Sequence, residues 1–369
     1  MPAKPAILFI LHLPPPVHGA AMVGQYIHDS ALVNAEFNCQ FLNLTTASGM
    51  GDIGRFRLKK IIPFRRLLRQ IRQAVRSMRP DLVYVTPNAG GGPFLKDYIV
   101  VRMLRRMGCR VVAHYHNKGV ALRQDRALYD FLYRRFFKGL KVILLSERLY
   151  PDIRKYVRRE DVLICPNGIP CGGARDEKPS GGTPRLLFLS NLLIDKGVLV
   201  LLDAMKILND KGFPFFCDVV GGETAAIDTV RLEKELLQRD LKDIVSYHGK
   251  RFGNEKDAFL NRADIFVFPS FNECFPLVLL EAMAHALPCI STPEGAIPDI
   301  VDDGVTGLIV KRQDPEDLAD KLTTLLQDAA LRERMGAAGR RKYEQLFTLE
   351  HFERTFADTL KAVLKEESC

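Results

Sequence analysis

Glu273 and Glu281 are the residues of this chain most suited to chemistry, and they sit in one stretch, Phe268-Pro-Ser-Phe-Asn-Glu273-Cys-Phe-Pro276-Leu-Val-Leu-Leu-Glu281-Ala-Met-Ala-His285-Ala-Leu-Pro288. The stretch reads as the end of a buried strand, a short loop carrying Glu273, and a helix over 276–287 with Glu281 in its second turn. Pro276 suits the first helical position, where its missing N–H is not needed, and Pro288 marks the far end. The segment from Leu277 to Leu287 is apolar almost all round, which predicts a buried helix. An ionised carboxylate in such a helix is unfavourable unless it meets a partner or a ligand. At 1.5 Å rise per residue Glu281 lies about 8 Å from the helix start. The two acids then line one wall of a pocket floored by a helix N-terminus, a natural anion site. The bland alternative is a cap plus a buried salt bridge.

The elements that must position these acids alternate along the whole chain. Ala6–Leu13 is a fully apolar strand, as in a parallel sheet covered on both faces. It leads through Pro14-Pro-Pro-Val-His18-Gly19 into a helix ending near Leu32, and a glycine at that place lets backbone approach a phosphate closely. Further strands are expected at Phe37–Leu42, Leu82–Thr86, Arg110–Tyr115, Lys141–Leu145 and Val162–Cys165, with helices between them. Residues 170–184, rich in Pro, Gly and charge, read as a linker. Beyond it the alternation restarts, with strands at Arg185–Ser190, Phe215–Val220, Ile244–His248, Asp264–Pro269, Cys289–Ser291 and Leu308–Val310. Helices are expected at Val198–Asn209, Thr224–Arg239, Asp257–Asn261, Pro276–Leu287 and Asp314–Gln327, and then through Leu331–Lys365. The pattern is α/β, two doubly wound domains in series, with ligands at the carboxyl ends of the strands and the cleft between domains as the default active site.

Composition narrows the function. The 369 residues are 47% hydrophobic and 26% charged, as in a globular protein. No apolar run reaches a spanning length, and the first residues do not form a signal peptide; a cytoplasmic location is expected. The eight cysteines show no Cys-x-x-Cys and read as reduced thiols. No zinc spacing and no Asp-x-Asp is present, so neither an essential metal nor a cofactor is expected. The net charge of +9 is uneven: residues 1–180 hold 30 Lys and Arg against 13 Asp and Glu, and the remainder 23 against 31. Between Asp52 and Asp81 stand ten basic residues and no acid: Arg55, Arg57, Lys59, Lys60, Arg65, Arg66, Arg69, Arg72, Arg76 and Arg79. Ile61, Phe64, Leu68, Ile71, Val75 and Met78 recur at spacings of three and four, which makes an amphipathic helix with a cationic face. That face is either merely solvated or a docking surface for an anionic membrane. No nucleic-acid motif accompanies it, and no nucleic-acid partner is expected.

Asn272-Glu-Cys-Phe-Pro-Leu-Val-Leu-Leu-Glu-Ala-Met-Ala284 resembles the Glu, seven residues, Glu signature of glycosyltransferase family 4, the retaining enzymes of GT-B fold among the glycosyl transferases of group 1. Pro166-Asn-Gly-Ile169, Leu189-Ser-Asn-Leu-Leu-Ile-Asp-Lys196-Gly197, Val220-Gly221-Gly222, Asp264–Ser270 and Glu294–Ile309 match the same family in order and approximate spacing. The match is strong over about 162–345 and only topological before that. The resemblance implies an acceptor-binding Rossmann-like domain over 1–169 and a linker over 170–184. It further implies a donor-binding domain over 185–345 and a helix over 346–369 packing back on the first domain.

It also implies roles. Glu281 would receive the ribose hydroxyls of a UDP- or GDP-sugar donor. Glu273 would sit beside the transferred sugar, with backbone N–H groups around Cys274, Phe275, Pro276 and Leu277 meeting a sugar hydroxyl and the diphosphate. Lys196 would place positive charge on the leaving diphosphate, as a metal does elsewhere. Gly19 and Gly221 would approach the donor through their backbones, and His116, in Val112-Ala-His114-Tyr-His116-Asn, would stand near the acceptor. His114, inside the apolar strand, is the weaker candidate. Two departures stand out: Asn191 replaces the usual arginine, leaving Arg251 or Lys250 to assist Lys196, and Cys274 replaces a usual glycine. The implied function is transfer of a sugar to the hydroxyl of a lipid-linked or polysaccharide acceptor in bacterial surface polysaccharide or glycolipid assembly. Arg65, Arg66, Arg69, Arg72 and Arg76 would then face the inner surface of the cytoplasmic membrane. A nucleotide-sugar 2-epimerase of the same fold and a non-catalytic nucleotide-sugar-binding subunit remain open.

Overall fold

The computed structural model describes residues 4–44, 61–171 and 182–365. The basic residues Arg55, Arg57, Lys59 and Lys60, and most of the expected linker, lie outside the described residues. The chain divides into two compact units, Met1–Gly168 with Leu349–Cys369, and Ile169–Thr348.

The first unit is a six-stranded parallel sheet in the order β2-β1-β3-β4-β5-β6. Its strands are β1 (Ala6–Leu11), β2 (Asn38–Asn43), β3 (Leu82–Val85), β4 (Val111–Tyr115), β5 (Lys141–Leu144) and β6 (Val162–Ile164). The connecting helices are α1 (Gly19–Asp29), α2 (Ala31–Glu36), α3 (Ile61–Met78), α4 (Gly91–Arg106) and α5 (Ala127–Phe137). The helix expected to run on past Asp29 breaks there because Ser30 takes extended backbone and its hydroxyl accepts from Val33 N at 3.2 Å, capping α2. β1 and β3 are buried on both faces, which is why their sequences are apolar without alternation. Because β2 lies on one side of β1 and all later strands on the other, right-handed crossovers set α1 and α2 on one face and α3, α4 and α5 on the opposite face.

The second unit repeats the plan in the order β12-β11-β10-β7-β8-β9. Its strands are β7 (Arg185–Leu189), β8 (Phe216–Val220), β9 (Val245–Tyr247), β10 (Ile265–Phe268), β11 (Cys289–Ser291) and β12 (Gly307–Ile309). Its helices are α6 (Val198–Asp210), α7 (Thr229–Gln238), α8 (Gly253–Arg262), α9 (Leu277–Ala284), α10 (Ile297–Ile300), α11 (Pro315–Gln327) and α12 (Ala329–Leu346). A last helix, α13 (Leu349–Lys365), belongs to the first unit, where Phe356 packs edge-on to Tyr84 at 5.3 Å and Lys361 pairs with Glu36. The helical tail expected over 331–365 consists of two helices parted at Phe347-Thr348.

Other boundaries move as well, α8 among them, which starts at Gly253 and not Asp257. α7 starts at Thr229, not Thr224, because Asp228 accepts from Arg231 N at 2.8 Å while Thr224 closes a turn onto Ala226 and Ile227. Pro276 is the residue capping α9 and not its first helical residue. The same helix ends at Ala284, three residues before the expected end. Ala286 adopts φ +52°, Ala286 N donates to Met283 O and Leu287 N to Ala282 O, a left-handed C-terminal cap in which alanine stands where glycine is usual.

Candidate functional site

Each sheet reverses its strand order once, between β1 and β3 in the first unit and between β7 and β10 in the second. Open parallel sheets bind ligands at the carboxyl ends of such strands. Lys196 follows β7 and Glu273 follows β10, so the second reversal carries both residues.

Lys196 ends a short turn, Ile194–Lys196, closed by Lys196 N donating to Leu193 O. Gly197 then takes φ +81°, and a Cβ there would stand 2.2 Å from Pro269 O, so only glycine lets the two loops meet. Lys196 Nζ lies 2.5 Å from Glu273 Oε1 and donates to Asn272 O at 3.3 Å. Four residues that sequence reasoning passed over fix this pair. Ser270 Oγ lies 3.3 Å from Glu273 Oε1 and donates to Asp195 O, Phe271 N also donates to Asp195 O, and Asn272 Nδ2 donates to Asp195 Oδ2 at 2.8 Å. Their signal was present, since Ser270 and Asp195 lie inside matched motifs.

The loop after β7 is tied to the loop after β8. Asn191 Oδ1 accepts from Gly222 N at 3.0 Å, Leu192 N donates to Gly222 O, and Thr224 Oγ1 donates to Leu192 O. A Cβ on Gly221 would come within 1.7 Å of Ser190 O, so the approach of these loops also depends on a missing side chain. Asn191 thus acts on backbone. Arg251 pairs with Glu255 at 3.8 Å at the start of α8, and Lys250 lies 4.9 Å over the Phe252 ring. Cys274 is buried and is not among the non-glycine residues with positive φ, so the backbone at this position admits a side chain. Its carbonyl accepts from Ala296 N, and Phe275 packs edge-on to Phe347.

Glu281, on α9, pairs with Lys256 on α8, Nζ to Oε1 at 2.8 Å. Its other oxygen, Oε2, is buried and unpartnered among the described residues. Burial pushes the Glu281 carboxyl up and Lys256 pulls it back down, with a small upward push from Asp257. No sequence signal pointed to Lys256, 25 residues away on another helix.

In the first unit, His18 caps α1, its Nδ1 accepting from Ala21 N at 3.3 Å, and Gly19 is the first helical residue. His116 follows β4. Burial, and then the charge of nearby His18, depress it to about 3, so it is neutral at physiological pH. His12, after β1, is depressed to about 3 by burial and by Lys96, His18 and His116. The fold therefore gathers His12, His18 and His116, of which the sequence singled out only the last. His116 Nδ1 is buried without a partner among the described residues. His114 is fully buried and bonded through Nδ1 to Tyr84 Oη at 2.7 Å, a core role. Arg65, Arg66, Arg69, Arg72 and Arg76 are all exposed on α3, while Leu67, Ile71, Ala74 and Val75 are buried.

Residues 174–342 match the family described as glycosyl transferases group 1. That span covers most of the second unit. The chain is 28% identical over 179 residues to the capsular polysaccharide biosynthesis glycosyltransferase CapM of Staphylococcus aureus, covering 48% of this chain and 46% of CapM. It is also 28% identical over 295 residues to the putative colanic acid biosynthesis glycosyltransferase WcaL of Salmonella typhimurium, covering 73% and 72%. The chain spans about half the length or less of the first curated relatives it matches. Anabaena HepE, solved in complex with UDP and glucose, superposes with a TM-score of 0.73 at 18% identity over 97% of this chain and all of HepE. At that identity the likeness concerns the fold, which is GT-B.

Proposed function

We propose that the chain is a retaining glycosyltransferase that moves a sugar from a nucleoside diphosphate sugar to an acceptor hydroxyl in surface polysaccharide assembly. The observation that carries this reading is the Lys196–Glu273 pair at 2.5 Å, at the strand reversal of the unit that matches the group 1 glycosyl transferases. CapM and WcaL are named for polysaccharide biosynthesis, and HepE binds UDP and glucose.

In this reading the donor diphosphate lies against Lys196 and the start of α9, and Lys196 neutralises charge as the sugar–phosphate bond breaks. Glu273 holds Lys196 and faces the sugar. The ribose hydroxyls donate to Glu281, whose Oε2 has no other partner among the described residues. The acceptor oxygen attacks from the face the diphosphate leaves, and a diphosphate oxygen takes the acceptor proton, so the sugar keeps its anomeric configuration. The protein orients the reactants and stabilises charge, with no metal or cofactor assigned. His116, neutral, takes a hydrogen-bonding role near the acceptor. The exposed arginines of α3 fit an anionic membrane surface or a lipid-linked acceptor.

The test is a binding panel of nucleoside diphosphates and their sugars read by thermal shift, followed by transfer assays with the donor that binds. Binding and transfer that both depend on Lys196 and Glu281 support the reading. Tight binding with no transfer to any acceptor favours a non-catalytic subunit, the alternative suggested by Asn191 in place of arginine. No binding of any member refutes both.

A further inference from the structure

α4 and α5 lie on the same face of the first unit's sheet as α3, pack against each other, and begin at the carboxyl ends of the strands they follow. Each carries one exposed stripe. On α4 the stripe is Leu95, Ile99, Arg102 and Arg106, at successive spacings of four, three and four; on α5 it is Leu128, Phe131 and Arg135, at three and four. Residues so spaced share a helix face. Both stripes run the same way: apolar in the early turns, near the carboxyl edge of the sheet, and basic in the last turns.

The apolar members are conspicuously wet. Leu95, Ile99, Leu128 and Phe131 are 42%, 45%, 64% and 50% exposed. Where the basic ends converge there is a cavity of about 330 Å³, lined by Arg102, Arg105, Arg106, Arg135, Tyr98, Val101 and Phe136 and by no acid. Arg105 Nη1 donates to Arg135 O at 3.0 Å and Phe136 O at 3.2 Å, fastening the two helices, and the Arg135 guanidinium lies 3.5 Å from the centre of the Phe131 ring. The acids of these helices are used elsewhere. Asp97 is buried against Asn88, and Asp130 pairs with Arg134 and Lys155. Arg102 and Arg106 have no ion-pair partner among the described residues.

We propose that the α4–α5 face is a docking surface for an anionic phospholipid leaflet, with lipid phosphate seated in the arginine-lined cavity and Ile99 and Phe131 entering the acyl boundary. The chemistry selects the occupant. Arginines bind phosphate with paired N–H donors, and the exposed aliphatic and aromatic side chains beside them suit a bilayer interface, whereas a nucleic acid offers nothing to Leu95, Ile99 or Leu128. The inference rests on the membrane-directed reading of α3 and extends it. It brings the carboxyl edge of the sheet, with His12 and His116, toward the bilayer where a lipid-linked acceptor would reside.

The full chain is incubated with phosphatidylcholine vesicles with and without phosphatidylglycerol, and bound protein is sedimented across a salt series. Wild type binds only the anionic vesicles, and binding falls with salt. Arg102→Gln with Arg106→Gln weakens the partition coefficient about 25-fold, each basic residue near the leaflet being worth roughly fivefold. Ile99→Ser with Phe131→Ser weakens binding even at the lowest salt, where the charges are intact. All four positions are on exposed helix surface, and an unchanged unfolding temperature verifies the fold of each variant. Arg69→Gln with Arg72→Gln on α3 separates the two helices' shares. Wild-type binding that survives both the arginine and the apolar pair on α4–α5 overturns this inference and leaves the α3 reading standing. No wild-type binding at low salt overturns both, and preference for single-stranded DNA over anionic vesicles overturns this one in favour of nucleic acid.

Discussion

Lys256→Met isolates the most consequential contact in the second unit. Glu281 Oε2 is buried without a partner among the described residues and Oε1 meets Lys256 at 2.8 Å, with Lys256 and Glu281 side chains 24% and 21% exposed. Coulomb attraction at that distance is about 6 kcal/mol for an effective dielectric of about 20. Desolvation of both groups removes most of it, and deleting one partner of a fully buried pair costs about 3–5 kcal/mol. With a fifth to a quarter of each side chain in water, a loss of roughly 2 kcal/mol is expected at pH 8. The loss must depend on pH in one direction. Burial raises the folded carboxyl above its ordinary value, and without Lys256 it rises further. Below that value the carboxyl is protonated and needs no cation, so the variant approaches wild type; above it the full loss appears. Urea unfolding of wild type and variant across a pH series measures this difference. A stability gap that is constant with pH, or that widens in acid, would refute the reasoning.

The companion variant combines Lys256→Met with Glu281→Leu. Replacing a buried pair by apolar residues is often neutral or stabilising, so the double variant should regain the lost stability while no longer binding UDP or GDP. That separation of stability from binding would mark Glu281 as retained for a ligand and not for the fold.

Other outcomes follow from the same geometry. Lys196→Ala should lower kcat by about 10²–10³ with little change in donor KM, the loss typical of one preorganised charge-stabilising group. Glu281→Ala should instead weaken donor binding by roughly 10- to 150-fold, the worth of about 1.5–3 kcal/mol in hydrogen bonds to a charged acceptor; steady-state kinetics with the bound donor distinguishes the two. Asn191→Ala should lower stability by about 1 kcal/mol through loss of its bond to Gly222 N, as read by urea unfolding. His12 and His116 are both held near 3, far below the unfolded value. Unfolding therefore takes up protons between about pH 6 and 3, and stability should fall with acid by about 1.4 kcal/mol per pH unit for each such histidine. His12→Gln should flatten that slope in urea unfolding followed against pH.

The fold was largely legible because doubly wound sheets write themselves as apolar runs separated by helices, and β11 at Cys289–Ser291 lies where the sequence placed it. The boundaries after α1 and before α7 share one cause, local side-chain bonds that compete with helix continuation: Ser30, Asp228 and Thr224 each redirect the chain through a hydroxyl or carboxylate. α9 ended early for a different reason, since Ala286 accepts a left-handed conformation that composition gives no reason to expect. At the site, Lys196 and Glu273 were legible as members of motifs, but their mutual contact was not. Lys256 and the grouping of His12 with His116 depend on pairings between helices and strands distant in sequence, which sheet order and helix packing set.

The two strand reversals carry different electrostatics, and the difference constrains the proposed reaction. Around β1 and β4, His12 and His116 are neutral, held so chiefly by burial, with Lys96 adding to the effect on His12 and His18 to that on both. They can donate or accept hydrogen bonds but add no fixed positive charge. Around β7 and β10 lysines pair with carboxyl groups, Lys196 with Glu273 and Lys256 with Glu281. A departing diphosphate gains negative charge, and Lys196 offers a cation at the ends of β7 and β10, where Asn191 has none to give. Donor binding must then loosen Lys196 from Glu273 and share it with the diphosphate. The carboxylate that holds Lys196 in place before binding becomes the group that competes for it afterwards. Glu273→Gln, which keeps the shape and removes the charge, should therefore tighten binding of a nucleoside diphosphate while lowering turnover of its sugar. Equal losses in both, measured by calorimetry and by single-turnover kinetics, would contradict this competition.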